Sequence, residues 1–484
     1  MTQVPQTSPP PPRHDVLVLG AGPAGVVAAR GLRAAGYSVA LVGAPRPFDA
    51  FEGLSERAAE GLGSAGCHEA LGRLGAEVRR VATWNGETSD ANRETLVDRQ
   101  AFDAGLRRDA AAAGATVLDG RIKRVEETAE GWRVTGRAGE NQAFDIEAGF
   151  LVEARGRAAP AGGAGGRRGP ATTALIRRWR LPSGGAPRTA LAAFESGWCW
   201  FADLGTGEAL FQVMAASGSG ELPARPGLEV FYDDRLATIP EAAVWLAEAA
   251  PLGGVQARAA GPVLAGTLLG PTFARVGDAA FAVDPLSGNG MFQAVAVALA
   301  LPAVVNTLIR RPQDRALAES FYRERVEQTF QRMCRVGRDF YRAEERWPRH
   351  PFWRARAAWP DEQAAHEPWD SEAPKLSARP VSQDGFIVRQ PVIVTPDHPR
   401  GVWRVGDVPL LPLMEFLAGD ESQSPAAAAA KFGAQAGYPA VSVETALSWL
   451  THRGLAERVG GTIRLHPAPA AQLLKRQDGG PAEA

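Results

Sequence analysis

The glycines of Gly20-Ala21-Gly22-Pro23-Ala24-Gly25 follow directly on the apolar run His14-Asp15-Val16-Leu17-Val18-Leu19 and precede a helical pattern over residues 26–35. The chemistry this spacing suits is phosphate binding. Gly20 allows a tight turn, Gly22 lets bare backbone approach a pyrophosphate, and Gly25 lets a helix pack close to the strand. The phosphates then meet the positive end of the helix dipole. A second apolar run over 37–42 returns after Gly36 at the spacing of a βαβ unit, which separates a dinucleotide fingerprint from a merely glycine-rich turn. That run ends Val42-Gly43-Ala44-Pro45-Arg46, without the acidic residue that normally holds ribose hydroxyls. Arg46 is open between a phosphate or stacking role and a solvated loop position.

Two later segments carry further polar chemistry. Asp98-Arg99-Gln100-Ala101-Phe102-Asp103 runs into a helical pattern over 106–113 and then Gly114-Ala115-Thr116-Val117. Farther on stands Arg275-Val276-Gly277-Asp278-Ala279-Ala280-Phe281-Ala282-Val283-Asp284-Pro285-Leu286-Ser287-Gly288-Asn289-Gly290-Met291. A carboxylate at a strand end accepts hydrogen bonds from hydroxyls, glycines admit backbone to a planar ligand, and a helix from Phe292 offers its first N–H groups to an electron-rich edge. These segments resemble the DRxxFD…GA and GD…DPxxGxG signatures of the flavoprotein monooxygenase, halogenase and geranylgeranyl reductase superfamily, with its p-hydroxybenzoate hydroxylase-like fold. The resemblance covers roughly residues 14–340, with the motifs in the superfamily's order. It implies FAD as cofactor, with contacts at Gly20, Gly22, Ala24, Gly25, Ser55, Arg99, Asp278, Pro285, Gly288, Asn289 and Gly290. One motif departs: Phe150-Leu151-Val152-Glu153-Ala154-Arg155-Gly156 has arginine where relatives carry Asp or Thr.

Reduced flavin can give a hydride to a double bond or react with oxygen, and the protein's shape chooses among outcomes. Gly197-Trp198-Cys199-Trp200-Phe201-Ala202-Asp203 partly resembles the WxWxIP motif of tryptophan halogenases, with Phe-Ala in place of Ile-Pro. Halogenases also use a lysine before the DRxxFD segment, whereas the first lysine here is Lys123. Arg79 or Arg80 does not substitute, because a guanidinium stays protonated. A halogenase-like scaffold without that lysine suits a hydroxylase. It is similar to the flavoproteins that oxygenate a peptidyl tryptophan during quinone-cofactor (cysteine tryptophylquinone) biogenesis. A small-molecule aromatic hydroxylase and a geranylgeranyl-reductase-like enzyme are the alternatives. Oxygen is the expected co-substrate, and electrons come from NAD(P)H or from a separate flavin reductase. Glu52 and Glu56 are the candidate bases, against a reading as solvated loop glutamates. Trp198 and Trp200 read as core before stacking platform, and Asp284 either polarises the flavin's surroundings or caps a turn.

A chain of 484 residues calls for two or three cores. The expected fold class is α/β. A Rossmann-like FAD-binding domain over 14–165 and 262–345 is interrupted by a mixed β-sheet substrate domain over 166–261. A linker over 346–380 leads to a small α+β, winged-helix-like module over 381–470, and 1–13 and 471–484 are disordered tails. That module lacks a dense basic helix, so polypeptide contact is expected rather than nucleic acid. Lys+Arg 53 against Asp+Glu 54 leaves no charge to draw the whole molecule to nucleic acid or an anionic membrane. The apolar stretch 291–305 is interrupted and too short to span a bilayer. Three scattered cysteines and no histidines at metal-ligand spacing indicate a reducing cytoplasm and no metal.

Overall fold

The computed structural model describes residues 11–160, 163–182, 185–218, 220, 222–419 and 423–466. The expected tail 471–484 and most of the tail 1–13 lie outside the described residues. Two compact units divide the chain, one reaching to Arg315 and including Tyr322–Ala365, the other comprising Ala316–Phe321 and the residues from His366 onward.

The first unit is built on a parallel sheet. β1 (Arg13–Leu19), β2 (Val39–Val42), β6 (Thr116–Leu118), β9 (Gln142–Glu153) and β18 (Phe273–Arg275) lie in the order β18-β9-β1-β2-β6, with β17 (Leu269–Gly270) antiparallel at the edge. Val16, Leu17, Val18 and Leu19 are fully buried, each contributing about 1.5–3 kcal/mol. Continuous apolar runs are what a strand buried on both faces requires. β7 (Gly120–Thr128) and β8 (Gly131–Ala138) pair antiparallel onto the first half of β9, and Val134 of β8 joins Leu17, Leu19, Ala40 and Val42 in one cluster. Helix α1 (Pro23–Ala34) packs on β1, α4 (Arg99–Ala112) and α7 (Gly290–Arg310).

Helix α7 begins two residues before the expected Phe292 and runs past the apolar stretch 291–305 to Arg310, with Pro302 inside it. Its 21 residues make it long and apolar enough by length and composition to cross a membrane. It is used here as a core helix: Val295, Val297, Leu301, Val304 and Val305 are buried, and a side chain at Gly31 of α1 would collide with Pro302.

The second sheet has the order β15-β11-β14-β13-β12-β4-β5-β3. Its strands β11 (Thr172–Arg180), β12 (Arg188–Phe194), β13 (Gly197–Asp203) and β14 (Glu208–Ala216) follow the expected substrate sheet, and β15 (Ala250–Ala259), not expected as a strand, adds at its edge. The sequence reading assigns no strand to β3 (Phe51–Leu54), β4 (Glu77–Trp84) and β5 (Glu87–Asp98), yet they complete the sheet through a parallel β4–β12 pairing. The cause is compositional, since most of β5 is exposed and polar and shows no apolar alternation. One sheet face packs Cys199, Phe201 and Phe211 against Tyr232 and Leu236 of α5 (Leu228–Ala237) and Ala242 of α6 (Pro240–Leu246). The opposite face holds Trp198 and Trp200 with Leu286, Tyr341, Phe352 and Trp353. β10 (Arg167–Arg168), β16 (Val263–Leu264) and β19 (Phe281–Ala282) form a small bridging sheet, and α2 (Glu56–Ser64) and α3 (His68–Leu71) follow β3.

The tryptophan-rich passage after α8 (Arg315–Arg342) departs from the expected linker over 346–380. Within α9 (Pro351–Ala357), Phe352 and Trp353 are 1% exposed, and the Trp353 indole N–H donates to the Glu195 carbonyl at 2.9 Å. Large aromatic rings are retained there as core of the first unit.

The second unit opens with a three-stranded antiparallel sheet, β20 (Lys375–Gln383), β21 (Phe386–Thr395) and β22 (His398–Val402). Strand β21 continues through Pro391, paired along its length by β20, while β22 pairs only beyond that proline. After the pair β23 (Arg404–Val405) and β24 (Val408–Pro409) come α10 (Leu410–Gly419), α11 (Pro425–Ala436), α12 (Ala440–His452) and the hairpin β25 (Ala456–Val459) to β26 (Thr462–Leu465). Leu413, Met414, Leu447, Leu450 and Ile463 form its core.

Candidate active site

The first turn after β1 has the shape a pyrophosphate needs. Gly20 has φ +113°, and a Cβ there would strike the Ala154 carbonyl, so no other residue fits this approach to β9. A Cβ on Gly25 would collide with the Gly20 carbonyl, whereas one on Gly22 would meet nothing within 4 Å. Open space therefore lies in front of Gly22, the N-cap of α1. That helix start has no side-chain cap and no acidic residue in its first turn, which suits an anion. At the end of β2, Gly43 abuts Ala21 and donates its N–H to the Leu118 carbonyl, so the ribose-binding carboxylate is absent there. Arg46 is no free loop arginine: it pairs with Asp103 at 3.4 Å and lies over the Phe48 ring.

The second motif folds onto the first. A Cβ on Gly277 would stand 2.6 Å from Ala24 Cβ, so the turn carrying Asp278 packs against the first turn of α1. Asp278 lies deep in the molecule, yet its side chain keeps 41% of its exposure, as a group on the floor of a cleft does. Burial raises its carboxyl pKa above the usual value, Arg157 at 3.5 Å opposes this, and Glu52 and Arg99 act on it electrostatically. Asp278 is thus within electrostatic reach of Arg157, Glu52 and Arg99. Gly288 adopts the left-handed conformation (φ +63°), Asn289 caps α7 with no side-chain bond to its N–H groups, and a Cβ on Gly290 would meet nothing within 4 Å. Two uncapped helix starts and a hydroxyl-accepting carboxylate around one cleft fit the phosphates, the pyrimidine edge and the ribityl chain of FAD.

Arg99, 7% exposed, begins α4. Its guanidinium donates to Glu52 at 2.6 Å and to Asp103 at 2.9 and 3.1 Å, and these carboxylates hold it charged. Glu52 is thus already an ion-pair partner. Glu56 lies exposed in the first turn of α2, behind its N-cap Ser55. The structure brings Glu52 beside the cleft and leaves Glu56 at the surface.

The sheet face opposite α5 and α6 joins Trp198, Trp200, Arg80 and Asp284 to Tyr341 and Glu94, two residues that sequence reasoning did not select. Trp198 and Trp200 are 2% and 7% exposed, core as expected. The Trp198 N–H donates to the Tyr341 hydroxyl at 3.0 Å, which reaches both Asp284 oxygens at 3.1 Å. Asp284 also accepts from the Leu286 N–H, so it caps the turn and is anchored from behind. The Trp200 N–H donates to Glu94 at 3.3 Å, and Arg80 stands 3.7 Å from the same carboxylate. Arg80 is also 3.3 Å from where a Cβ of Gly288 would be. The available signal is alternation: Glu94 and Leu96 point to one side of β5, a pattern masked by the polar residues around them.

No protein-family model matches the chain. The solved structure of the peptidyl tryptophan dihydroxylase QhpG, described as essential for tryptophylquinone cofactor biogenesis, is 39% identical, covers 92% of this chain and 100% of its own, and superposes with TM-score 0.76. A tryptophan 2-halogenase of Chondromyces crocatus is 27% identical over 401 residues, 74% of this chain and 72% of the halogenase. The flavin-dependent halogenase CmlS shares the fold at 17% identity, covering 94% of this chain and 98% of its own with TM-score 0.67. The chain is a flavin-dependent monooxygenase of α/β fold that uses FAD, and it belongs to the flavoprotein monooxygenase and halogenase family in which the peptidyl tryptophan dihydroxylase QhpG stands.

Proposed function

We propose that this enzyme hydroxylates the indole ring of a tryptophan carried in a polypeptide, as a step in maturing a quinone cofactor. The observation that carries the reading is full-length likeness to QhpG at 39% identity, joined to the absence of any lysine before Lys123. The overall change is aromatic C–H plus O2, two electrons and two protons giving C–OH and water. FAD, when bound and reduced, supplies the two electrons and delivers oxygen to the ring. NAD(P)H or a separate flavin reductase supplies the reducing equivalents.

The chain's own residues bind, orient and exclude water. Gly20, Gly22, Ala24 and Gly25 form the pyrophosphate turn, Asp278 accepts from the ribityl hydroxyls, and Pro285, Gly288, Asn289 and Gly290 line the flavin's pyrimidine edge. Arg99, clamped by Glu52 and Asp103, sets the cleft wall next to Ser55. The apolar face with Trp198, Trp200 and Leu286 keeps the reacting volume dry. The second unit, a small sheet with three helices and a hairpin, grips the polypeptide. Three buried free cysteines suit a cytoplasmic setting.

The test supplies FAD-loaded protein with reductant, oxygen and candidate tryptophan-bearing polypeptides, and reads the mass of each tryptophan peptide. Added oxygen on one tryptophan supports the reading. Oxidation of free phenols or indoles with every polypeptide unchanged transfers it to a small-molecule hydroxylase. Turnover without oxygen uptake transfers it to a reductase.

A further inference from the structure

We propose that Glu94 receives the proton shed by the aromatic ring carbon during hydroxylation, with Arg80 and Trp200 holding its carboxylate in position. This rests on the hydroxylase reading above. Glu94 is 6% exposed, among the apolar side chains of the sheet face that also carries Leu286 of the cofactor turn. A buried carboxylate offers about four acceptor positions and is costly to leave underused. Here its partners are the Trp200 N–H at 3.3 Å and Arg80 at 3.7 Å, both long. Arg80 Nε is itself buried without a hydrogen-bond partner. Donor and acceptor capacity is therefore open on both members of the pair.

Placement agrees with a working role. On the β3 side, a Cβ at Gly53 would collide with the Glu94 carboxylate, so this glycine preserves its site. On the other side, Arg80 reaches to within 3.3 Å of the Cβ position of Gly288. The pair thus bridges β4 and β5 next to the turn that faces the flavin. Glu52 is engaged by Arg99 and Glu56 is exposed, so neither provides an available buried acceptor. In the step, a ring π pair forms the new C–O bond and the C–H bond at that carbon breaks heterolytically. Its electron pair restores aromaticity and its proton passes to Glu94. The second oxygen atom of O2, reduced by the flavin's two electrons, leaves as water.

The test uses FAD-loaded wild type, Glu94→Gln and Glu94→Asp, acting on the tryptophan polypeptide that wild type hydroxylates or, failing that, on free indole. Oxygen uptake, peroxide release, product and bound FAD are measured together. Glu94→Gln is expected to keep FAD and oxygen uptake while product per oxygen falls about 100-fold and peroxide makes up the difference. Glu94→Asp is expected to restore part of the product. Wild-type partition between product and peroxide in Glu94→Gln overturns the assignment. If Glu94→Gln fails to hold FAD, an unchanged partition in Glu94→Asp overturns it instead. Absence of any hydroxylation by wild type overturns the functional reading itself, a separate result.

Discussion

Gly22 and Gly25 separate cofactor binding from folding, because both belong to one turn yet meet opposite surroundings. Alanine at Gly22 adds a methyl with no protein atom within 4 Å, so the apoprotein should melt within about 1 °C of wild type. That methyl stands in the space before the uncapped start of α1, where an oxygen of the pyrophosphate would accept backbone N–H bonds. Loss of one charge-assisted bond is worth about 1.5–3 kcal/mol, so FAD affinity should fall about 10- to 100-fold. Alanine at Gly25 instead drives its Cβ into the Gly20 carbonyl, with Ala154 Cβ crowding it at 3.2 Å. Overpacking of this kind costs about 1–3 kcal/mol, so this variant should lose both apoprotein stability and FAD. The assay is fluorescence titration of each apoprotein with FAD beside thermal melts without it. A Gly22→Ala protein that binds FAD as tightly as wild type would refute the placement of the phosphates.

Arg99→Ala leaves the buried Asp103 carboxylate with only the longer Arg46 contact at 3.4 Å and should destabilise the first unit by about 3 kcal/mol, the low end for a broken buried pair because Arg46 remains and Glu52 is 40% exposed; urea unfolding measures it. The raised carboxyl pKa of Asp278 means the folded apoprotein binds its proton more tightly than the unfolded chain. Its contribution therefore makes stability fall as pH rises from the unfolded carboxyl value through the raised one, and Asp278→Asn should remove that slope from pH-dependent melts. FAD affinity of wild type should weaken as pH falls through the same raised value, whereas Asp278→Asn should bind weakly at every pH. Tyr341→Phe leaves the Trp198 N–H and the Asp284 carboxylate without their shared hydroxyl and should cost about 1.5–3 kcal/mol, read as a lower melting temperature and weaker FAD retention.

What the sequence made legible was whatever local rules govern. The strand, turn and helix at 14–34 follow from apolar run, glycine spacing and helical period, and the turn at Gly277 packs on Ala24 as two halves of one cofactor site must. Strands β11 to β14 were readable because their apolar faces alternate or are buried throughout. Strands β3 to β5 were not, since a polar, exposed strand leaves no period-2 signal, and their membership in the second sheet comes from long-range pairing with β12. Glu94 was hidden for the same reason. Trp347 and Trp353 sit among prolines and arginines that read as a boundary, yet stack on one another in the core because so much apolar surface outweighs local turn propensity. The position of Glu52 was readable and its ion pair with Arg99 was not, because 47 residues separate the partners.

Oxygen transfer to an aromatic ring is the defining step, and isotope incorporation reads it without intermediates. FAD-loaded enzyme, reductant and the tryptophan polypeptide are incubated under oxygen gas of the heavy isotope, and the tryptophan peptide is sequenced by mass spectrometry. Heavy oxygen on the indole ring is the predicted result. An unlabelled, unmodified tryptophan beside oxidised flavin and labelled peroxide would contradict it.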